Sequence, residues 1–168
     1  MKKRVLLLLP LFLGACSNSG ESPVIKIEKL YVKAESNSDS AKEEDYANKM
    51  DELPALKKGD KVDALLLLDG NGAELKTFKF QKDGDEVLAT KLDYAKTEVT
   101  TEGNLTDEEK GQLRFKDGVT QTRVMVRATV KEDKNGDVRL EFYLSSKAEC
   151  EGAQEELGLK TKVDDEKE

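Results

Sequence analysis

The chain has 168 residues, with 28 Lys and Arg set against 35 Asp and Glu, no histidine and no tryptophan. A net charge of −7 disfavours nucleic acid as a partner, because phosphate backbones bind through basic patches. The absent imidazole removes the commonest general base, the Ser-His and Cys-His nucleophile systems and most zinc sites.

The first residues read as an address. Met1 to Arg4 is basic, Val5 to Leu13 is apolar and broken only by Pro10, and Gly14-Ala15 supply small residues before Cys16. This is the three-part layout of a secretory signal. As a helix the nine-residue apolar run reaches only about 14 Å, against roughly 30 Å of bilayer hydrocarbon, so it is too short to span. Leu13-Gly14-Ala15-Cys16 resembles the lipobox of bacterial lipoproteins. The resemblance implies a diacylglyceryl group on the Cys16 thiol, cleavage just before it and acylation of the new amine. One acyl chain binds a membrane reversibly, whereas two or three anchor stably. Loss of residues 1–15 removes Lys2, Lys3 and Arg4 and takes the charge from −7 to −10, which also disfavours anionic headgroups. The expected organisation is a signal peptide (1–15), a lipidated cysteine and polar tether (16–23), a β domain (24–150) and a charged tail (151–168).

Along the domain, Val24 to Lys33 predicts a strand, and Glu35 to Glu44 is a polar loop with no apolar period. Within that loop Asp39-Ser40-Ala41 resembles the Asp-Ser/Thr-apolar acceptor of O-glycosylation in Bacteroidetes, which makes Ser40 a candidate modification site. Val62, Ala64, Leu66 and Leu68 share one face of a strand, and Phe78 and Phe80 share one face of the next. A Gly70-Asn71-Gly72 loop makes these a hairpin, pairing Ala64 with Phe78 and Val62 with Phe80. Val87 to Asp93 and Leu113 to Lys116 predict two more strands, separated by turns at Asp83-Gly84 and Asp117-Gly118. Thr106 and Glu109 have capping-box spacing and predict a helical turn over Asp107 to Gly111. Asn104-Leu105-Thr106 fits the N-glycosylation rule, but the lipobox points to bacteria and Thr106 already has the cap to explain it.

The clearest alternation is Val124, Val126, Ala128 and Val130, answered by Val138, Leu140, Phe142 and Leu144 across the turn at Asp133 to Asp137. Parity favours a three-residue loop that pairs Val130 with Leu140, Ala128 with Phe142 and Val126 with Leu144, and asks Gly136 to be left-handed. Glu151 to Glu168 alternates charge around Leu157, Leu159 and Val163 and reads as a frayed helix or tail. Six or seven strands at this spacing predict an all-β fold, a two-layer antiparallel β-sandwich of immunoglobulin-like kind with one short helical turn. The disulfide and tryptophan of antibody domains are missing, since lipid on Cys16 leaves Cys150 unpaired.

No catalytic, cofactor-binding or metal-ligating residue is predicted. Cys150 lies between Glu149 and Glu151, which oppose thiolate formation, and reads as a partly buried structural cysteine. Ser146-Lys147 reads as a strand end, not a Ser-Lys dyad. The two Asp-x-Asn-Gly turns place glycine fourth, whereas a calcium loop of the EF-hand kind needs it sixth with Glu twelfth. Paired acids such as Glu108-Glu109 and Asp164-Asp165 are expected on a surface this charged and do not argue for a glycosidase.

Leu53 to Val62, Leu68 to Phe78 and the close Ser145-Ser146-Lys147-Ala148-Glu149-Cys150 are similar to small Bacteroides-type lipoproteins of unknown function. The resemblance implies a Gram-negative envelope, and with Ser17 after the cysteine it favours the outer membrane. Two functional classes follow. The favoured one is a non-enzymatic module anchored by lipid that binds a protein or glycan of the envelope, with Tyr143 near Arg127 as a candidate surface. The alternative is an envelope enzyme that uses carboxylate, Ser or Lys chemistry without histidine.

Overall fold

Alternation at period two lays down eight strands in the computed structural model, which describes residues 21–34, 44–83 and 87–163. They are β1 (Val24–Lys33), β2 (Lys61–Asp69), β3 (Leu75–Asp83), β4 (Leu88–Tyr94), β5 (Gln112–Arg114), β6 (Gln121–Val130), β7 (Gly136–Ser146) and β8 (Ala153–Thr161). The inward residues of β6 (Val124, Val126, Ala128, Val130) and of β7 (Val138, Leu140, Phe142, Leu144) are all buried, as the alternation requires.

The strands form two antiparallel sheets, one in the order β1-β2-β6-β4 and the other in the order β5-β3-β7-β8. Without β5 this is the A-B-E-D and C-F-G arrangement of an immunoglobulin constant-type sandwich. β5 is an extra three-residue edge strand that pairs with Thr77, Phe78 and Lys79 of β3. Between the sheets, the Phe142 ring stacks against Phe78 (centroids 6.4 Å apart) and Phe80 (5.9 Å). Leu30, Leu66, Leu68, Leu88 and Leu113 are fully enclosed around them. Among the described residues no buried side-chain nitrogen or oxygen lacks a hydrogen-bond partner, and the buried polar side chains Thr122, Ser146 and Thr161 are each hydrogen-bonded.

Both expected hairpins are corrected. β2 pairs with β1 and β6, and β3 with β5 and β7; β6 pairs with β2 and β4, and β7 with β3 and β8. The connections at Asn71 and Asn135 therefore cross from one sheet to the other. Parity cannot tell these cases apart, because two strands facing each other across a core also turn their apolar sides toward one another. Only the strand pairing distinguishes them. Residues 70–74 and 131–135 bridge sheets that lie about 10 Å apart, whereas paired strands lie about 4.8 Å apart. The two turns also differ in kind: Asn71 (φ 49°) and Gly72 (φ 91°) are left-handed, while Gly136 is not and simply opens β7.

Three further expectations change. Asp107 to Gly111 is not helical, because Asp107 and Gln112 exchange backbone hydrogen bonds of 2.8 Å that close a loop. Thr106 does not cap it: its hydroxyl donates to the Thr100 carbonyl (2.6 Å) and accepts from the Arg114 amide (3.0 Å). Among the described residues the short helical turns are 3-10 and lie at Met50–Glu52, Lys96–Glu98 and Glu102–Asn104. Lastly, Ala153 to Thr161 of the expected tail is β8, with Leu157 and Leu159 buried against the core. Its alternation is diluted by charged residues on the outward side, but two leucines and Thr161 fix the inward face.

The strands run between two ends. At the near pole meet the start of β1, the β2–β3, β5–β6 and β7–β8 connections and the segment entering at Glu21. At the distal pole lie the ends of β1 and β3, the starts of β2 and β4, the β6–β7 connection and the exit after Thr161. Leu56 seals the distal pole: its amide bonds Lys160 and its carbonyl accepts from Lys162, each at 2.8 Å, which extends the β8 edge.

Candidate functional site

The surface offers three places where chemistry or recognition has a physical basis. The first is the outer face of the β1-β2-β6-β4 sheet. Here β2 reads Ala64-Leu65-Leu66-Leu67-Leu68, apolar on both sides, and Leu65 and Leu67 point outward. The register sets Leu65 beside Met125 and Lys29, and Leu67 beside Arg123 and Lys26, while Tyr31 pairs with Asp63. All three apolar side chains are half-buried. Arg123 reaches across β2 to grip Glu28 with two bonds, Nε at 2.6 Å and Nη2 at 3.1 Å, and holds the Glu28 carboxyl below its ordinary value. Arg127 pairs with Asp93 at 3.1 Å. The result is an apolar stripe ringed by charges of both signs. The clue in the sequence was the unbroken apolar run in β2, since a strand solvated on one face alternates.

The opposite outer face is polar, with Lys79, Gln81, Arg139 and Glu156 around Tyr143, whose hydroxyl donates to Glu141 at 2.7 Å. A shallow groove of about 390 Å³ lies beside Tyr143. Tyr143 and Arg127 therefore do not form one surface. They sit on opposite faces of the sandwich, because β7 and β6 belong to different sheets.

The third place is an open cleft of about 1000 Å³ between the edge of β4 and the part of β3 that β5 leaves uncovered, lined by Lys82, Asp83, Lys91, Glu108, Glu109 and Lys110 among others. Lys82 Nζ donates to the Leu88 carbonyl at 2.9 Å and so occupies an edge acceptor that another strand would need. At the rim the Tyr94 hydroxyl donates to Glu108 at 2.5 Å. Burial first, and this hydrogen bond second, push the phenol up to about 12, so near neutral pH it donates and does not act as a base. Gly111 closes the floor with φ 67°, and a Cβ there would meet the Phe80 carbonyl at 2.7 Å. Among the described residues nothing in the cleft pairs a nucleophile with a base.

Cys16 and Ser40 lie outside the described residues, as do Asp164 and Asp165. Cys150 is exposed, not partly buried, because it follows the end of β7 in a connection at the near pole. Ser146 is buried with its Oγ 3.8 Å from Cys150 Sγ, while Lys147 points the other way and bonds Glu74 (2.5 Å) and Asp117 (2.6 Å). Those carboxylates raise the Lys147 ammonium above its ordinary value, so the two residues form no dyad. Both Asp69 oxygens are engaged, by the Asn71 amide (2.8 Å) and Gln121 Nε2 (2.6 Å), and Asn135 Oδ1 accepts from the Val163 amide (3.1 Å). The Asp-x-Asn-Gly turns thus do structural work. Among the described residues no group of acids and cysteine is arranged to hold a metal ion, and no helix is long and apolar enough to cross a membrane.

Strand order and surface define an immunoglobulin-like β-sandwich without a constructed catalytic centre among the described residues. Within that class the chain belongs to the family described as Domain of unknown function (DUF5035), whose model matches residues 16–161. No curated protein matches the sequence. Among solved structures, the C-terminal domain of the Streptococcus pyogenes antigen I/II-family protein AspA is similar at 19% identity, over 79% of this chain and 46% of that one, with a TM-score of 0.39. The C-terminal domain of the Streptococcus agalactiae AgI/II polypeptide BspA is similar at 18% identity, over 83% and 50%, with a TM-score of 0.42. The chain spans about half the length of each, and no activity or partner is carried over from them.

Proposed function

We propose that the protein is an envelope lipoprotein, anchored to the outer membrane by lipid on Cys16, whose sandwich is a non-catalytic module binding a protein or glycan of that envelope. The single observation behind the binding role is the outward stripe of Leu65, Leu67 and Met125. An apolar stripe on an outer sheet face, rimmed by charge, supports an interaction surface. The anchor rests on the basic, apolar and small-residue order of residues 1–15 and on the lipobox at Leu13 to Cys16. The family match starting at residue 16 supports the same boundary.

Two measurements test this reading. The intact mass of the protein from its native envelope is expected to lack residues 1–15 and to carry two or three acyl chains, and Cys16→Ser is expected to release the protein from the membrane. A native mass without lipid removes the anchor. The same spectrum tests Ser40, proposed as a glycan acceptor: a mass equal to sequence plus lipid alone removes the glycan. For the binding role, cross-linking in the envelope is expected to capture a stoichiometric partner with the native chain and to lose it with Leu67→Lys. Equal capture by both removes the stripe as the interface.

A further inference from the structure

The segment that leads into β1 is tied to the fold before the first strand begins. Asn71 Nδ2 donates to Glu21 Oε2 at 3.1 Å and to the Ser22 carbonyl at 3.2 Å. From the other side of the same end, Cys150 Sγ donates to the Glu21 carbonyl at 3.5 Å. Pro23, which follows, is buried, and Val24 already pairs with Asp69. These contacts come from two connections that share nothing in sequence, β2–β3 and β7–β8, and converge on two adjacent residues. Asn71 reaches them because its backbone is left-handed at φ 49°, a conformation Asn tolerates and most side chains do not.

We infer that residues 21–23 belong to the folded domain, clamped by Asn71 and Cys150, and that this clamp seats the domain on the bilayer by its near pole. The seating rests on the proposal above that Cys16 carries lipid. Only Ser17 to Gly20 then form the leash between lipid and clamp. Five residue steps from Cys16 to Glu21 span at most about 18 Å, so the near pole stays within that distance of the lipid surface. The partner facing this pole is a lipid surface, and the contact is geometric, not adhesive. Glu74 and Asp117 flank Lys147 there, and Glu21, Glu149 and Glu151 are exposed on the same end, so this pole repels anionic headgroups, a repulsion that fades beyond about 8 Å in physiological salt. The distal pole, roughly 30 Å away at about 3.3 Å per strand residue, faces outward.

Two experiments separate the clamp from the seating. In the mature chain carrying Cys16→Ser, which takes no lipid, backbone ¹⁵N relaxation is expected to show residues 21, 22 and 24 as rigid as β1 and residues 17–20 as mobile. Asn71→Gly with Cys150→Ala keeps the left-handed turn but deletes both donors, and is expected to bring residues 21 and 22 to the mobility of 17–20. Residues 21 and 22 as mobile as the leash in the unsubstituted background overturn the clamp. In the lipidated chain on phosphatidylethanolamine and phosphatidylglycerol vesicles, a fluorophore introduced at position 116 is expected to transfer energy to acceptor-labelled lipid at least twofold more efficiently than one at position 134. Equal or reversed transfer overturns the seating. A chain that never partitions into vesicles overturns the anchor and the seating together, while the relaxation result stands.

Discussion

The two poles of the sandwich are closed by different means. At the near pole, side chains do much of the tying: Lys147 joins Glu74 to Asp117, Gln121 holds Asp69, and Asn71 and Cys150 hold Glu21 and Ser22. At the distal pole the main chain does it, through Leu56 on Lys160 and Lys162, Gly59 on Val130, and Lys131 on Val87. Backbone bonds do not titrate. Ion pairs do, and salt weakens them, so the Lys147 ties of the near pole should respond to their surroundings while the main-chain ties of Leu56, Gly59 and Lys131 do not.

The largest effect is expected where both poles share a core. Phe142→Ala removes the ring between Phe78 and Phe80 and should cost about 3–5 kcal/mol, read as a lower denaturant midpoint in a single transition. Hydrogen exchange that rises at one pole alone would break the assumption that the sandwich is one cooperative unit. Next is Leu56→Ala, at 1% exposure, which should cost about 2–4 kcal/mol and raise exchange at Lys162 while sparing Leu75 and Lys147.

Acid should then separate the ends. Lys147 holds the Glu74 and Asp117 carboxyls below their ordinary values of 4.5 and 3.8, so their contribution is complete above those values and is lost as pH falls beneath them. Exchange at Leu75 and Lys147 should rise below about pH 4 before exchange at Leu56 and Lys131 changes, and Lys147→Met should erase that difference. The smallest effect is Tyr94→Phe, about 1 kcal/mol for one hydrogen bond. A phenol raised from 10.0 to about 12 contributes stability that is present below pH 10 and lost as pH climbs through 12. The 295 nm titration should lose its step near 12 in the variant.

Much of the fold was legible from alternation alone. β1 agrees with its expected span, β4, β5, β6 and β7 agree to within a residue or two at most ends, and the inward faces agree throughout. What alternation lacks is partner identity. Val126 and Leu144 both face the core, and nothing in their periodicity says that they face it from opposite sheets. β8 was missed because Glu155, Glu156, Lys160 and a mid-strand Gly158 mask its inward Leu157 and Leu159. On the candidate surface, the β2 run shows its outward Leu65 and Leu67 as plainly as its inward half, but periodicity does not say what an outward leucine faces. Residues 21–22 gave no signal, since their partners lie 49 to 129 residues away along the chain.

The β1–β2 register has a mechanical consequence. The nine paired positions from Val24–Asp69 to Lys33–Lys61 run along the strand axis, and their hydrogen bonds lie across it. A pull on the N-terminal end of β1, resisted at the distal pole, loads those bonds in parallel as shear and does not open them one at a time. The strand that carries the proposed anchor is therefore gripped in the geometry that best withstands tension.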